Sequence, residues 1–237
     1  MLNRWYIFYW IILGVLFSTS TYATVFEVTP VQLSLSSKQM IGVLKVTNRS
    51  EKDSFLQLSL VSWQQRCGKD IYKTSHDILM TPPLFRLPAH KTQVIRFALK
   101  RPVLAMVQQT YRMHIKEIDR GKHNRMGQQL YFLMDFSLPL FIQPQHIEEQ
   151  FIWSIQYPDP KHIKLKVYND GNITLFINQW QLINNPKNLM IAKQATFAYI
   201  LPGQSHSWLV AINSNSKPTD IESTINGQTK KSVLHKL

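Results

Sequence analysis

Residues 130–142 read Leu-Tyr-Phe-Leu-Met-Asp-Phe-Ser-Leu-Pro-Leu-Phe-Ile, the longest strand-like run in the chain. Successive side chains of a β-strand point to opposite faces, so alternate residues share one side. One side of this predicted strand is entirely apolar and comprises Leu130, Phe132, Met134, Phe136, Leu138 and Leu140. Such a side either packs inside the chain's own sandwich or enters a hydrophobic groove of a partner sheet that lacks a strand.

The same two-residue period recurs along the rest of the chain, whereas no helical periodicity is convincing. Before residue 130 it predicts strands at 26–35 (interrupted at Pro30), 40–47, 55–63, 93–99 and 110–118, and it leaves 64–76 as a polar stretch. After residue 142 it predicts strands at 151–155, 162–168, 173–182, 195–200 and 208–212. Turn-forming residues at 169–172 and 201–204 separate the later strands. Short strands at this spacing are typical of β-sandwiches.

A break at Gln143-Pro144-Gln145 divides the strands into two groups. A chain of 237 residues with an apolar fraction of 44% is long and apolar enough to bury a sizeable core in each group. We therefore predict an all-β fold of two β-sandwich domains, covering residues 24–143 and 146–237.

Prolines at positions 82, 83 and 88 interrupt the first group of strands. Because proline has no backbone N–H, this segment cannot form a regular central strand, and we expect it to be extended, to turn or to switch sheets. The peptide bond before Pro82 or Pro83 is free to be cis or trans.

The N-terminus has the pattern of a secretory signal peptide, predicted at residues 1–23. A short charged start precedes the apolar run 5–17, and Thr21 and Ala23 fit the peptidase cleavage site. The alternative is an uncleaved N-terminal anchor, although the run is short for a membrane span. The single cysteine, Cys67, excludes an intrachain disulfide and is interpreted as a passive strand-end residue rather than a reactive thiol.

Composition and motifs argue against catalysis and against nucleic-acid binding. The net charge of +13 is spread along the chain, and no basic helix or aromatic RNA-binding motif accompanies it. The eight histidines have no metal-ligand spacing, so no metal site is expected. No nucleophile elbow or glycine-rich phosphate loop is present, so we predict a protein that is not an enzyme and needs no cofactor.

Five segments occur in an order that resembles a known family: Thr81–Phe97 with its Pro-Pro pair, Gln109–Glu117 with its Tyr-Arg pair, Met134–Phe141, Val167–Asn172 and Tyr199–Gln204. The chain resembles the periplasmic chaperones of the chaperone–usher pathway, above all the archaic branch that assembles spore-coat-U-type pili. The resemblance implies two immunoglobulin-like domains arranged as an L or boomerang, with a donor strand in the first. It implies a periplasmic chaperone that binds pilus subunits lacking their final strand and delivers them to an outer-membrane usher.

The resemblance also implies roles for individual residues. Donor-strand complementation assigns client binding to Leu130, Phe132, Met134, Phe136 and Leu138. Well-studied relatives hold the client's C-terminal carboxylate with a lysine where this chain has Pro139. In the archaic branch the anchor is the arginine of the Tyr-Arg pair, which is Arg112 here, and Arg96 is the competing candidate. Glu117 is expected in an inter-domain charge network in which Gln143 replaces the usual basic residue.

A second hypothesis is a secreted immunoglobulin-like adhesive or structural module, such as a surface subunit or lectin. A pilus subunit would carry its own alternating extension ahead of a single sandwich. Here Thr24 leads directly into the first predicted strand and two sandwiches follow, which favours the chaperone.

Overall fold

The structure is a computed structural model that describes residues 26–119, 132–187, 189–212 and 217–236. The predicted signal peptide and Leu130 lie outside these residues. Within the described ranges, no helix is long and apolar enough to cross a membrane.

Ten strands precede residue 143 in the described part of the chain. They are β1 (Phe26–Thr29), β2 (Leu33–Leu35), β3 (Ile41–Asn48), β4 (Ser54–Arg66), β5 (Lys69–Thr74), β6 (Ile78–Thr81), β7 (Leu84–Leu87), β8 (Thr92–Leu99), β9 (Gln109–Glu117) and β10 (Asp135–Ile142). Sheet A has the order β1-β3-β8-β6, and sheet B has the order β2-β10-β9-β4-β5, with β7 also paired to β4. The two sheets enclose one continuous hydrophobic core, as expected for a sandwich.

Eight strands and one short 3-10 helix follow residue 143 in the described part. They are β11 (Phe151–Asp159), β12 (His162–Asn169), β13 (Leu175–Asn184), the 3-10 helix Asn185–Lys187, β14 (Leu189–Ile200), β15 (Ser205–Ala211), β16 (Asp220–Ile225), β17 (Gln228–Val233) and β18 (His235–Lys236). Sheet C has the order β15-β12-β11-β18 and sheet D the order β14-β13-β16-β17. A second core, built around Trp153, Trp180 and Trp208, lies between them. The prediction of an all-β protein with two sandwiches is confirmed.

Two proline-containing segments carry the chain from one sheet of the first sandwich to the other. β1 pairs with β3 in sheet A, and after Pro30 β2 pairs in parallel with β10 in sheet B. Likewise β6 pairs with β8 in sheet A, and after Pro82 and Pro83 β7 pairs with β4 in sheet B. The Thr29–Pro30 and Thr81–Pro82 peptide bonds are cis. Of the three alternatives expected for this second segment, the structure shows sheet switching.

The strand expected over 130–142 is shorter than its sequence pattern indicated. β10 begins only at Asp135, and the described residues 132–134 ahead of it are not in a strand. The longest strand described is instead β4, with 13 residues. The polar stretch 64–76 is also not a simple connection, because β4 and β5 form a hairpin there whose tip, Cys67–Gly68, has positive φ angles of 51° and 76°.

Candidate functional site

β10 has a complete neighbour on one side and a partial neighbour on the other. β9 pairs with it from Asp135 to Ile142. β2 pairs only with Leu140, Phe141 and Ile142. The outer edge of Asp135–Pro139 therefore has no strand neighbour among the described residues, and we call this segment the open edge. Unpaired backbone groups on such an edge are a template for an added strand.

The apolar side of the strand emerges gradually from the core towards the open edge. Leu138 and Leu140 are buried in the first core, and Phe136 is partly buried with its ring 5.9 Å from that of Phe26. Ahead of the strand, Phe132 is 79% exposed and Met134 is 37% exposed. The assignment of Leu138 to a client is thus corrected: its side chain fills this chain's own sandwich, because sheet A covers that part of sheet B.

Arg112 lies on the outer face of sheet B, opposite Pro139 of β10 and Val61 of β4. Its guanidinium carbon is 3.9 Å from the centre of the Trp63 ring and 5.0 Å from that of Tyr199, which belongs to β14 of the second sandwich. Within the described residues its buried Nε has no hydrogen-bond partner. Arg112 is therefore held by aromatic faces at the junction of the sandwiches, which leaves its donors suited to an anion.

Asp70 organises the floor beside Arg112. Its carboxylate accepts hydrogen bonds from Trp63 Nε1 (2.9 Å), Gln65 Nε2 (3.0 Å) and Tyr72 Oη (3.0 Å). Partial burial raises the pKa of Asp70, but these hydrogen bonds and the charge of Arg112 outweigh that effect and lower it below its usual value. Asp70 is consequently ionised at neutral pH.

The two sandwiches meet in a small apolar cluster of Trp63, Phe141 and Leu201, with Tyr199 packed against it. Gln65 joins them by hydrogen bonds: its Nε2 donates to the Tyr199 carbonyl (2.9 Å) and its Oε1 accepts from the Leu201 N–H (3.0 Å). The Pro-Gly turn predicted at 201–204 thus lies against β4 of the first sandwich.

The turn 169–172 is hydrogen-bonded to the segment that connects the two sandwiches after residue 143. The Asn172 side chain donates to the carbonyls of Met106 (3.0 Å) and His146 (2.7 Å) and accepts from the Glu148 N–H (2.8 Å). A Cβ on Gly171 would lie 2.3 Å from the Glu148 carbonyl oxygen, so only glycine fits this approach. Hydrogen bonds from the Asn172 side chain and the close approach of Gly171 therefore fix the connection.

A neutral amide network continues this junction. Gln108 Oε1 accepts from the Thr174 N–H (2.9 Å), and Gln108 Nε2 donates to Gln143 Oε1 (3.0 Å). Gln143 in turn donates to Ser34 Oγ on β2 (3.1 Å). Gln108, Gln143 and Thr174 line a cleft of about 490 Å³ between the sandwiches, together with Phe141, Phe176 and Tyr199. Gln143 belongs to this network of amides rather than to the expected charge network.

Two predicted site residues lie elsewhere. Glu117 is at the end of β9 remote from the junction, where it accepts from Ser54 Oγ (2.7 Å) and its N–H donates to the Met134 carbonyl (2.8 Å). The inter-domain role of Glu117 is therefore corrected: it holds the segment leading into β10. Arg96 is exposed on the outer face of sheet A, flanked by the buried Ile95 and Phe97, so the cleft-anchor role proposed for it is corrected as well.

Sequence reasoning missed Trp63, Gln65, Asp70 and Tyr199 as parts of the site. Each lies in a strand or turn region that pattern alone assigns to packing or to solvent. Gln65 and Asp70 fall in the stretch 64–76, which was interpreted only as polar, so their convergence near Arg112 had no local signal. Asn172 was recognised as a turn residue, and its contacts 24 and more residues away became visible only in three dimensions.

A family model for pili and flagellar-assembly chaperones, PapD N-terminal domain, matches residues 25–148, which is more than half of the chain. The chain belongs to this family. A search of curated protein sequences found no match. The family and the solved structures below lend no support to the alternative of a surface subunit or lectin.

Solved structures of pilus chaperones share the fold of this family member over most of its length. The match to the CsuC–CsuE chaperone–tip adhesion subunit pre-assembly complex of archaic chaperone–usher Csu pili from Acinetobacter baumannii has a TM-score of 0.67 and 16% identity, covering 90% of this chain and 99% of that chain. For the SafB chaperone complex with SafA pilin from Salmonella enterica the TM-score is 0.64 at 15% identity, covering 91% and 99%. For the class 5 fimbriae chaperone CfaA it is 0.62 at 14% identity, covering 90% and 100%.

Proposed function

We propose that this family member is a periplasmic chaperone that binds pilus subunits by donor-strand complementation and delivers them to an outer-membrane usher. The observation that carries the proposal is the open edge of β10, with exposed apolar side chains ahead of it and Arg112 level with its end. Residues 1–23 would direct export, and domains 24–143 and 146–237 would form the mature chaperone. It acts by binding, and the proposal requires no cofactor.

The register of β10 determines how far a client strand can extend. A strand added along Asp135–Pro139 must stop there, because β2 occupies the same edge from Leu140 onward. Arg112 is the direct cross-strand neighbour of Pro139, one strand further into sheet B. The end of an added strand would therefore come level with Arg112, whose guanidinium can bind a terminal carboxylate through two parallel hydrogen bonds.

The energy of this mode comes from main-chain pairing and from a small set of side chains. Burial in a client groove would contribute about 1.5–3 kcal/mol for each of the two side chains, Phe132 and Met134, before ordering costs. Each main-chain hydrogen bond adds about 0.5–1.5 kcal/mol. Leu138 and Leu140 add nothing, because folding has already buried them.

The test is co-expression with the secreted β-sandwich proteins encoded nearby, followed by pull-down of the soluble complex. Arg112→Ala should abolish or strongly weaken a one-to-one complex, whereas the matched control Arg96→Ala, an exposed strand arginine on sheet A, should leave it intact. A complex that survives Arg112→Ala, or that is lost equally with Arg96→Ala, would remove Arg112 from the proposed site. A complex that keeps its full affinity when Phe132 and Met134 are both replaced by serine would overturn the donor-strand mode itself.

A further inference from the structure

Asp70 is hydrogen-bonded to residues that surround Arg112. The positive charge of the site comes from Arg112 and not from Asp70. We infer that Asp70 is a positioning residue that holds Arg112 ready for the terminal carboxylate of an extended peptide and couples this site to the second sandwich. The inference rests on the proposed function and goes beyond it in assigning a residue that organises the anchor.

Asp70 positions Arg112 first through the indole of Trp63. Its side chain is almost fully buried, so its N–H needs an acceptor inside the protein. Asp70 Oδ1 supplies that acceptor at 2.9 Å. This hydrogen bond sets the angle of the Trp63 ring. The Arg112 guanidinium packs on that ring, with its carbon 3.9 Å from the ring centre. Asp70 thus controls the position of Arg112 through Trp63.

Asp70 also acts on the side-chain amide of Gln65. Its Nε2 donates both to Asp70 and to the carbonyl of Tyr199, and its Oε1 accepts from Leu201. All polar atoms of this amide are therefore engaged, and Asp70 orients it towards the second sandwich. Tyr199 supplies the second ring that packs on Arg112, and its centre is 5.0 Å from the guanidinium carbon. We call the two rings, Trp63 and Tyr199, the Arg112 cage. Asp70 therefore links both walls of the cage.

Asp70 shapes the site without forming an ion pair with Arg112 itself. Its oxygens accept from three neutral donors, and within the described residues no ion pair within 4 Å joins Arg112 to a carboxylate. An incoming carboxylate therefore has no ion pair to displace from Arg112. The negative charge of Asp70 moderates the potential around Arg112, while its hydrogen bonds set the geometry. The charge weakens anion binding and the positioning strengthens it, so substitutions of Asp70 can separate the two contributions.

The experiment uses the purified mature protein and a soluble peptide of about six residues, valine alternating with threonine, made with a free carboxylate and as its C-terminal amide. The wild type should prefer the free acid by about tenfold to a hundredfold, the range of a charge-assisted hydrogen bond. Asp70→Ala should reduce that preference to a few-fold or less. Asp70→Asn keeps an oxygen that accepts from Trp63 and Gln65, so it should retain most of the preference.

Two controls separate positioning from general stability. Asp53→Ala removes another carboxylate of the first sandwich, one that accepts from Arg86 and from the Ala89 N–H and does not contact the cage; it should leave the preference unchanged. Trp63→Phe keeps an aromatic ring but removes the N–H donor, and it should lose part of the preference. This variant also serves as the test if Asp70→Ala does not fold.

The outcomes distinguish the two proposals. Equal binding of acid and amide by the wild type would overturn the carboxylate anchor and, with it, this inference. A wild-type preference that survives both Asp70→Ala and Trp63→Phe would overturn the positioning role alone. Tighter acid binding by both Asp70→Ala and Asp70→Asn would show that Asp70 acts only through its charge, which also overturns the inference.

Discussion

The two ends of β10 belong to one strand but have different surroundings. From Leu140 to Ile142 the strand lies between β2 and β9 and is buried. From Asp135 to Pro139 its only strand neighbour within the described residues is β9, and the residues ahead of it expose Phe132 and Met134. The same apolar side therefore serves the chain's own core at one end and faces solvent at the other. The point where β2 begins separates the part of the strand that serves folding from the part for which we propose a binding role.

The open edge carries a charged group at its start. Asp135 contacts His114 Nδ1 (3.0 Å) and Lys116 Nζ (3.4 Å) on the neighbouring strand. A charge at an exposed edge disfavours pairing between copies of the same chain, which is a common means of limiting aggregation. The buried end needs no such device because β2 covers it. Four predictions test this difference between the ends, in order of decreasing expected effect.

The largest effect is expected at the buried end. Leu140→Ala removes a fully buried side chain from the first core and should lower the free energy of unfolding by about 2–5 kcal/mol. Phe132→Ala, on the same apolar side but exposed, should change it by no more than about 0.5 kcal/mol. Urea titrations monitored by tryptophan fluorescence measure both. Equal losses would contradict the division of β10 into two roles.

The next effect concerns binding at the open end. Replacing Phe132 and Met134 together by serine should weaken client binding by about 2–4 kcal/mol, since both side chains lose contact with the groove. The melting temperature should not change. Leu209→Ser, which alters an exposed apolar residue on the second sandwich, is the control and should bind normally. Reduced binding by this control as well would point to general surface hydrophobicity rather than to the donor segment.

A smaller effect is expected from Tyr111, the cross-strand neighbour of Leu140. Burial, followed by its hydrogen bond to Asp77 and the charge of that carboxylate, raises the pKa of Tyr111. Because the folded-state pKa lies above the unfolded value of about 10, the resulting stability is present below pH 10 and is lost as the pH rises further. Tyr111→Phe should flatten this alkaline loss, measured as unfolding free energy between about pH 9 and pH 11. An unchanged slope would assign the loss to other tyrosines.

The smallest effect is expected from the charged start of the open edge. Asp135→Ala should cost less than about 1 kcal/mol of stability, because its contacts with His114 and Lys116 are largely exposed. Its visible consequence should be increased self-association, measured by light scattering at rising concentration. The control Asp159→Ala breaks a comparable exposed aspartate–histidine pair on the second sandwich. Equal association of both variants would argue against a guarding role for Asp135.

Much of the fold was predictable because burial alternates along most strands. β3, β8, β9 and β12 each place apolar residues at every second position, and the structure puts them within a residue or two of the predicted bounds. β5 was missed because it is a sheet edge with little burial on either face. The hairpin β16–β17 was missed although Asn226-Gly227, with φ angles of 50° and 81°, is a strong turn signal.

The site was less predictable, for two physical reasons. Arg112 could be proposed from its neighbouring tyrosine and the family resemblance, but its cage depends on Asp70 and Tyr199, which come from a distant hairpin and from the other sandwich. Such contacts leave no trace in local periodicity. Glu117 was placed wrongly because its role was transferred from relatives, whereas in this chain the junction is held by amides such as Gln143.

The grip of Asn172 and Gly171 on the connecting segment has a consequence for recognition. A client that contacts both sandwiches need not stop them from moving relative to each other, because the angle between them is set when the chaperone itself folds. The entropy of fixing that angle is thus lost before the client arrives, and more of the contact energy remains for affinity. The two sandwiches would therefore meet a client in an arrangement that folding has already fixed.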